Sequence, residues 1–411
     1  MTTIREDADY IIQRAIHAVL PDEAVRRALA DKDFGTGRLR LVAAGKAAWQ
    51  MANTAHDVLG KRIESGVVIT KYGYSKGPIA DFCCMEAGHP VPDVNSFKAT
   101  KRALEAVKGL TEKDTVLFLL SGGGSALFED PVISGEELAG ITEQLLASGA
   151  DIVEMNTIRK RLSRVKGGRF ALACLPARVF CIVLSDIVGD PLDMIASGPA
   201  YPDGTTSNDA LKIVEKYGIE LSSAARHALL EETPKQLDNV ETVITGSVRE
   251  LCVAAQQAAT ERGYNACILT DHLDCIAREA GIFLGDMALT HQDSLESCAF
   301  IAGGETVVRL TGKGKGGRNQ EIALAASDKI AGCRNTAIFS VGSDGTDGPT
   351  DAAGGYVDGT TKGMLKNKQI DIYETLQQNN AYAALKACDG LIITGATGTN
   401  VNDVAVVLIR R

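Results

Sequence analysis

"VLFLLSGGGSALFEDP", residues 116–131, begins as an apolar run and is interrupted by three consecutive glycines before the chain turns helical again. The apolar run is typical of a buried strand, and a glycine inside an element costs about 1 kcal/mol relative to alanine. A strand, a glycine-rich loop and a helix in succession are typical of an anion site made of backbone amides. A tight turn with close packing is the alternative. We predict a phosphate-binding loop at Ser121, Gly122, Gly123, Gly124 and Ser125.

Strands and helices alternate on both sides of this stretch. "RLRLVAAGK" (38–46), "GVVITKYGY" (66–74) and "RVFCIVLSDIVGD" (178–190) are apolar runs separated by helical segments, which predicts a parallel sheet covered on both faces. We predict an α/β protein of two domains. Residues 1–236 form a Rossmann-like, doubly wound, mostly parallel sheet, and residues 237–411 form a smaller mixed-sheet domain.

Six predicted strands end in Gly, Ser, Asp, Glu, Asn or Lys rather than in apolar residues. In open α/β sheets, ligands bind beyond the carboxyl ends of the strands. We therefore expect these six ends to line one cleft between the domains: Gly45–Lys46, Ser121–Ser125, Ser185–Asp190, Gly303–Glu305, Gly342–Asp351 and Gly395–Asn402.

The composition restricts the classes of partner. The formal net charge of −9 argues against nucleic acid and acidic membrane surfaces. No apolar run approaches the roughly 18 residues of a membrane span, and the N-terminal residues lack the pattern of a signal peptide. None of the ten cysteines forms a CxxC pair, which favours free thiols in a reducing compartment. We expect a cytoplasmic protein with a small-molecule substrate, and a homodimer is left open.

Two groups of cations in the first domain are candidates for anion binding. Lys46 follows a strand in "AAGKAA", at the first turn of a helix, where acids are usually favoured, so we expect an anionic partner for it. "NTIRKRLSRVKGGRFA" (156–171) carries six cations within eleven residues. Most of them are expected on a solvated helix face, and Lys160 and Lys166 are the candidates for contact with a phosphate or carboxylate.

"TGKGKGGRNQEIAL" (311–324) contains the spacing G-x-G-x-x-G after the apolar run "TVVRL", which we expect to be a strand, and before a helix. A dinucleotide site would also need an acidic residue about 20 positions further on, and none is evident. The lysines between the glycines favour a multiply charged phosphate. We therefore predict phosphate contacts at Gly314, Gly316 and Gly317, with Arg318 beside them.

"FSVGSDGTDGPTDAAGG" (339–355) does not fit a calcium-binding EF-hand loop, although it is rich in acids and glycines. Carboxylates beside phosphate-binding loops suit Mg²⁺, which is held by one or two carboxylates and substrate oxygens. We predict metal contacts at Asp344 and Asp347, and at Asp190 in the first domain. A turn-rich surface loop is the alternative. The six histidines, His89 included, show no metal-binding spacing and are expected to be structural or exposed.

Six motifs, taken together and in order, resemble the class II glycerate kinases, whose C-terminal part is called the MOFRL domain. They are "SGGGSALFEDP", "RKRLSRVKGGR", "LSDIVGDPLDMIASGP", "GGETVVRLTGKGKGGRNQE", "SDGTDGPTDAAGG" and "TGATGTNVND". The resemblance implies phosphorylation of D-glycerate to 2-phosphoglycerate by ATP and Mg²⁺, in a cleft between two α/β domains. It also implies that Lys46 and Arg318 are the catalytic cations, and we expect Glu305 and Asn319 to contact the substrate.

Phosphoryl transfer to a hydroxyl also needs a carboxylate that accepts its proton, and Asp186 is our candidate. The sequence leaves open which carboxylate is the base and which holds metal, and which glycine-rich loop binds ATP. It does not determine which hydroxyl is phosphorylated. Two other functions stay in view: an NAD(P)H-dependent hydroxypyruvate reductase, which requires a true dinucleotide site, and a non-catalytic sensor of a phosphorylated metabolite.

Overall fold

The computed structural model describes residues 3–411 and divides the chain into two compact units. The first unit is Ala24–Thr245, and the second comprises the residues up to Glu23 together with Gly246–Arg411. The sequence predicted a single boundary after residue 236. The units differ from it because the first helix, α1 (Ile4–Ala18), packs its apolar face into the core of the second unit.

The first unit contains a sheet of six strands: β1 (Leu39–Ala44), β2 (Ser65–Lys71), β3 (Cys83–Ala87), β4 (Thr115–Leu120), β5 (Arg178–Leu184) and β6 (Val240–Gly246). They lie in the order β3-β2-β1-β4-β5-β6, and β1 to β5 pair in parallel. This is the strand order of the Rossmann fold, in which the order of the strands reverses between β1 and β4 and leaves a crevice at their carboxyl ends. The predicted Rossmann-like sheet is confirmed.

Strand β4, which contains the apolar run quoted above, is buried on both faces of the sheet. All six of its residues are buried. Val116, Phe118 and Leu120 belong to the core on one face of the sheet, and Leu117 and Leu119 belong to the core on the other face. Because successive side chains of a strand point to opposite faces, a central strand with both faces covered is apolar along most of its length, and Thr115 at the first position is the one polar residue of β4.

Helices cover this sheet on both faces: α2 (Pro21–Leu29) and α3 (Ala48–Leu59) on one, and α4 (Val94–Ala106), α5 (Gly124–Leu127) and α8 (Arg169–Ala173) on the other. Four further helices, α6 (Gly135–Ala147), α7 (Ile152–Arg161), α9 (Ser207–Tyr217) and α10 (Ser223–Leu230), pack against one another in a cluster of their own. Short 3₁₀ turns lie at Gly60–Arg62 and Ile195–Ser197. The helix α6 begins at Gly135 because Ser134 caps it by accepting from the amide of Glu137 at 3.1 Å.

The second unit contains six strands: β7 (Asn265–Leu273), β8 (Cys298–Gly304), β9 (Thr336–Gly342), β10 (Gly354–Asp358), β11 (Leu391–Ile392) and β12 (Asp403–Ile409). They lie in the order β11-β10-β9-β12-β8-β7, with β7 and β8 parallel and the other pairs antiparallel. The predicted mixed sheet is confirmed. Its helices, besides α1, are α11 (Val248–Glu261), α12 (Ala277–Thr290), α13 (Arg318–Lys329), α14 (Thr361–Asn367), α15 (Ile372–Gln377) and α16 (Ala381–Ala387).

One expected strand is absent. The run at 306–310 is irregular apart from a single bridge between Val307 and Ile276, so the prediction of a strand before α13 is wrong. Val307 and Leu310 are largely exposed, so their apolar side chains do not mark a buried strand, as the sequence suggested. The ten cysteines are unpaired, as expected. Within residues 3–411, no helix combines the length and apolarity that crossing a bilayer requires.

Candidate active site

The crevice of the first sheet lies where the chain leaves the parallel neighbours β1 and β4. The amide of Lys46 donates to the carbonyl oxygen of Gly122 at 2.9 Å, and Ser121 Oγ accepts from the amide of Ala47 at 3.0 Å. These two bonds join the turn after β1 to the glycine-rich loop after β4. The structure therefore brings together the predicted Lys46 and the predicted loop Ser121–Ser125, although about 75 positions separate them along the chain.

Each of the three glycines has a different close neighbour. A Cβ added to Gly122 would lie 2.2 Å from Oδ2 of Asp186, and one added to Gly124 would lie 2.6 Å from the Cβ of Ala196. At Gly123, where φ is 84°, it would lie 2.9 Å from the ring of His89 and 3.3 Å from Cγ of Lys46. Side chains from four other segments, three strand ends and one turn, thus approach the bare backbone, which explains the need for three consecutive glycines.

The loop offers backbone donors as well as space. Within the described residues, the amides of Gly122 and Gly123 donate to no other group, so both are available to an anion. The helix that follows, α5, is a single turn, and the long helix α6 begins eleven residues later, at Gly135. A helix of a single turn contributes little dipole to the loop. The anion-binding capacity comes from the amides and the neighbouring cations.

His89, expected from the sequence to be structural or exposed, lies at the candidate site. It follows β3 and lies against Gly123, beside Lys46. Burial lowers the pKa of His89, and the positive charges of Lys46 and Lys71 lower it further, so the imidazole is neutral near pH 7. A usable signal was present: His89 comes directly after a parallel strand, as the predicted site residues do.

The cation-rich segment that includes α7 is not the solvated face that was expected. Lys160 is buried, and its Nζ lies 3.2 Å from carboxylate oxygens of both Asp193 and Asp203. These two ion pairs anchor α7 inside the first unit. The contact of Lys160 with substrate stays a prediction, since its charge is already neutralised within the chain.

Lys166 is also buried, and it supports the glycine-rich loop. Its Nζ donates to the carbonyl oxygens of Ser125 and Phe128 at 2.8 and 2.9 Å and forms an ion pair with Glu129 at 2.8 Å. Burial lowers the pKa of Lys166, and the Glu129 carboxylate opposes this shift. Ser125 is further placed by its hydroxyl, which lies 3.4 Å from Oγ of Ser197. Contact of Lys166 with substrate likewise stays a prediction.

The two aspartates of "LSDIVGDP" lie on the loop after β5. The carboxylate of Asp186 approaches Gly122, so this candidate base lies at the glycine-rich loop. Asp190 has a left-handed backbone with φ of 51°, and its Oδ1 is buried without a hydrogen-bond partner among the described residues. An unpaired buried carboxylate oxygen is costly unless a cation or donor binds it. Asp190 is the predicted metal ligand whose environment best fits a cation.

In the second unit, Arg318 begins α13 and is held by two carboxylates. Its Nε and Nη2 donate to Asp403 at 2.5 and 3.2 Å, and its Nη1 donates to Glu305 at 2.7 Å. Burial opposes the charge of Arg318, but Asp403 and Glu305 outweigh it and raise the pKa. Glu305 is itself placed by Asn402, which donates to its Oε2 at 3.0 Å. Asp403 was missed, although the motif "TNVND" contains it.

Asp347 caps α13 from another loop. Its two carboxylate oxygens accept from the amides of Asn319 and Gln320 at 3.1 and 2.8 Å, while Gly317 at the N-cap position has no side chain to do so. Asp347 is buried, which raises its pKa to about 6 against the opposing effect of the two amides. Both oxygens already accept from amides, and a metal contact at Asp347 stays a prediction.

Asn319 and Asp344, two further predicted site residues, lie close to this cap. Asn319 is buried, and its Oδ1 accepts from Ser340 Oγ at 2.6 Å, so its side chain is committed inside the unit. Asp344 is half-buried, and its Oδ1 accepts from the amide of Thr346 at 2.9 Å. Among residues 3–411, no group of three or more acidic, histidine or cysteine side chains is arranged to hold a metal ion.

The glycines of "TGKGKGGR" pack against protein. The amide of Gly312 donates to Asn379 Oδ1 at 2.8 Å, and that of Gly314 donates to the carbonyl oxygen of Gln378 at 2.7 Å. A Cβ on Gly314 would lie 2.5 Å from this same oxygen, and Cβ atoms on Gly316 and Gly317 would approach Ala381 and Asp347. Close packing thus accounts for these glycines, and phosphate contacts at Gly314, Gly316 and Gly317 stay predictions.

Comparison with known proteins agrees with the motifs. A family described as a domain of unknown function, DUF4147, matches residues 7–230, and the MOFRL family matches residues 298–403. A D-glycerate 2-kinase of Thermotoga maritima is 53% identical, with 99% of both chains covered. A glycerate 2-kinase of Pyrococcus horikoshii is 41% identical, covering 99% of this chain and 97% of the relative. The crystal structure of a glycerate kinase from Thermotoga maritima matches with a TM-score of 0.95 and 54% identity, covering 98% of this chain and 99% of that one.

Proposed function

We infer the function of the chain from its family and its site: it belongs to the glycerate 2-kinase family with a MOFRL domain, and its first unit holds the groups that phosphoryl transfer requires. We propose that it transfers the γ-phosphoryl group of ATP to D-glycerate, giving 2-phosphoglycerate and ADP. The observation that carries the proposal is the position of Lys46 and its lack of an ion pair in the described part of the chain. Within the described residues it forms no ion pair, and it lies over Gly123 at the free amides of the loop.

Phosphoryl transfer depends mainly on positioning and on neutralising negative charge. The 2-hydroxyl oxygen of glycerate forms the new bond to the γ-phosphorus, and the bond from this phosphorus to the β,γ-bridging oxygen of ATP breaks. Lys46 and the amides of Gly122 and Gly123 stabilise the charge on the phosphoryl oxygens. Asp186, whose carboxylate lies at Gly122, accepts the hydroxyl proton.

Arg318 is the second proposed catalytic cation. Asp403 and Glu305 occupy three of its five N–H groups and fix the plane of the guanidinium, which leaves two donors for a phosphate or substrate oxygen. A guanidinium that is already oriented loses little entropy when it binds. We propose that Glu305 acts by orienting Arg318 as well as by any contact of its own with substrate.

Mg²⁺ is implied by the kinase family, and Asp190 fits it because its buried Oδ1 has no partner in the described chain. We propose that Asp190 holds the ion together with phosphate oxygens of ATP, with Asp344 as a further candidate ligand. When bound, Mg²⁺ would neutralise charge on the β- and γ-phosphates. The small number of protein carboxylates is typical of Mg²⁺–nucleotide sites, in which the substrate supplies part of the coordination.

The other two functions have less support. A reductase would need a dinucleotide site, but the G-x-G-x-x-G segment does not follow a strand, and its amides at Gly312 and Gly314 already have partners. A non-catalytic sensor would explain the anion site but would not require a carboxylate beside Gly122. Kinase chemistry uses the cation, the amides and the carboxylate together.

One experiment separates these functions. We expect the purified protein to form ADP from ATP–Mg²⁺ only when D-glycerate is present, and the product to be consumed directly by enolase, which identifies 2-phosphoglycerate. Lys46→Met should lower kcat at least about 100-fold, whereas Lys61→Met, which removes an exposed charge of the same unit, should not. Oxidation of NADH with hydroxypyruvate, or binding without turnover, would contradict the kinase proposal.

A further inference from the structure

The cation-rich segment contains one member that differs from the rest. Five of its six cations are bound within the first unit, each by at least one carboxylate or carbonyl oxygen. These five are Lys160 with Asp193 and Asp203, Arg161 with Asp203 and Glu232, Arg164 with Asp130 and Pro131, Lys166 with Glu129, and Arg169 with the carbonyls of Arg161 and Ser163.

Arg159 is the exception. Its guanidinium has no hydrogen bond or ion pair within residues 3–411, although the side chain is only partly exposed. Burial lowers the pKa of Arg159, and the charge of Glu129 only partly offsets this effect. Lys166 already forms an ion pair with Glu129, so the positive charge of Arg159 is not cancelled by that carboxylate. A half-buried guanidinium without a partner is expected to bind an anion from outside the chain.

The surroundings of Arg159 lead to the glycine-rich loop. On α7 it lies three residues after Asn156, on the same side of the helix. Asn156 Oδ1 accepts from Ser197 Oγ at 3.0 Å, and that hydroxyl lies 3.4 Å from Ser125 Oγ. The positive charge of Arg159 also helps to lower the pKa of Lys166, whose ammonium donates to the Ser125 carbonyl oxygen. Arg159 is therefore near the Ser125 end of the loop, while Lys46 lies beside Gly122 and Gly123.

We propose that Arg159 binds the carboxylate of the acceptor substrate and so selects a hydroxy acid over a neutral polyol. This inference rests on the proposed function and deepens it. Two parts of the loop then have different roles, with the phosphoryl group held at Lys46 beside Gly122 and Gly123, and the acid group held at Arg159 near Ser125. A guanidinium suits the second role because its parallel N–H groups can donate to both oxygens of a carboxylate.

The test is steady-state kinetics of the full-length protein with D-glycerate and with glycerol, which lacks the carboxylate. We expect Arg159→Met to raise KM for D-glycerate about tenfold or more, to leave KM for ATP within about twofold, and to reduce the preference for glycerate over glycerol. Arg159→Lys should restore part of the preference, since it keeps the charge but loses the two-donor geometry. Lys212→Met removes an exposed charge from α9 in the same unit and should behave like the unmodified protein.

A second measurement does not depend on turnover. D-glycerate should raise the melting temperature of the unmodified protein and of Lys212→Met, and this shift should be lost in Arg159→Met. An unchanged KM and melting shift in the Arg159 variants would overturn the assignment, and so would a rise in KM for ATP alone, which would place Arg159 at the nucleotide. If the unmodified protein does not phosphorylate D-glycerate, the proposed function fails instead.

Discussion

At the scale of single residues, each glycine of the SGGGS loop is required by a different neighbour. Gly123 is the most constrained, because it combines φ of 84° with the approach of His89 and Lys46. We predict that Gly123→Ala lowers kcat/KM for ATP at least about tenfold, since the methyl group displaces the imidazole and the lysine from the anion site. Steady-state kinetics measures this loss.

Gly149→Ala is the matched control for that variant. Gly149 has a similar φ of 77°, but no atom lies within 4 Å of an added Cβ. Both variants should lose about 1 kcal/mol of stability through left-handed backbone strain, and only Gly123→Ala should lose activity. Equal kinetics in the two variants would show that the space over Gly123 is not used for binding.

Residue identity alone predicted some site members and not others. Lys46 and the SGGGS loop were predictable because a parallel strand places the residues after it in the crevice. Lys160 and Lys166 could not be told by sequence from Arg159, which is unpaired within the described residues, because their acidic partners Asp193, Asp203 and Glu129 are brought near only by the fold. His89 was dismissed for the same reason, since its contact with Gly123 is tertiary.

At the scale of elements, the start of α13 depends on a carboxylate from outside the helix. Asp347→Ala would leave the amides of Asn319 and Gln320 buried without acceptors. We predict a loss of about 1–3 kcal/mol in the free energy of unfolding, together with lower activity, because Arg318 is the first residue of this helix. Urea titration followed by circular dichroism measures the stability.

Asp351→Ala provides the comparison for the cap variant. Asp351 lies on the same loop, but it is exposed and accepts only from the hydroxyl of Tyr382. Its replacement should change stability by less than about 1 kcal/mol. A similar small effect at Asp347 would mean that the buried carboxylate contributes little as a cap and would favour its predicted role as a metal ligand.

Elements were predicted well where the residue pattern was a clear local signal. They were predicted poorly where apolar residues lie in an irregular, exposed segment. Strand β4 was predicted correctly because an apolar run is a local signal, and the capping serine at the start of α6 is a local signal of the same kind. Residues 306–310 contain three β-branched residues and a leucine, yet they lie in an irregular segment with exposed Val307 and Leu310. Local composition cannot show that Gly304, with φ of 157° and packed on Leu273, ends the strand before them.

At the scale of the whole molecule, the strand order of the first sheet explains why its site residues come from distant parts of the chain. The order places β1 beside β4, so Lys46 and the SGGGS loop adjoin at the one point where the connections run in opposite directions. The alternation of strands and helices predicted the class of fold. It did not predict which unit the N-terminal helix joins, because the apolar stripe of an amphipathic helix does not determine which sheet the helix packs against.

The placement of α1 in the second unit leads to the last prediction. Ile11 is fully buried in a core shared with α11, β9 and β12, and Asp7 of the same helix accepts from Tyr264 at 2.9 Å. We predict that Ile11→Ala destabilises the second unit by about 2–5 kcal/mol. Hydrogen exchange read by mass spectrometry should then speed up in peptides from 246–411 and not in peptides from 24–245. Met51→Ala, in a fully buried position of α3, should give the reverse pattern. Faster exchange within 24–236 in the Ile11 variant would instead support the boundary predicted from the sequence, with α1 belonging to the N-terminal domain.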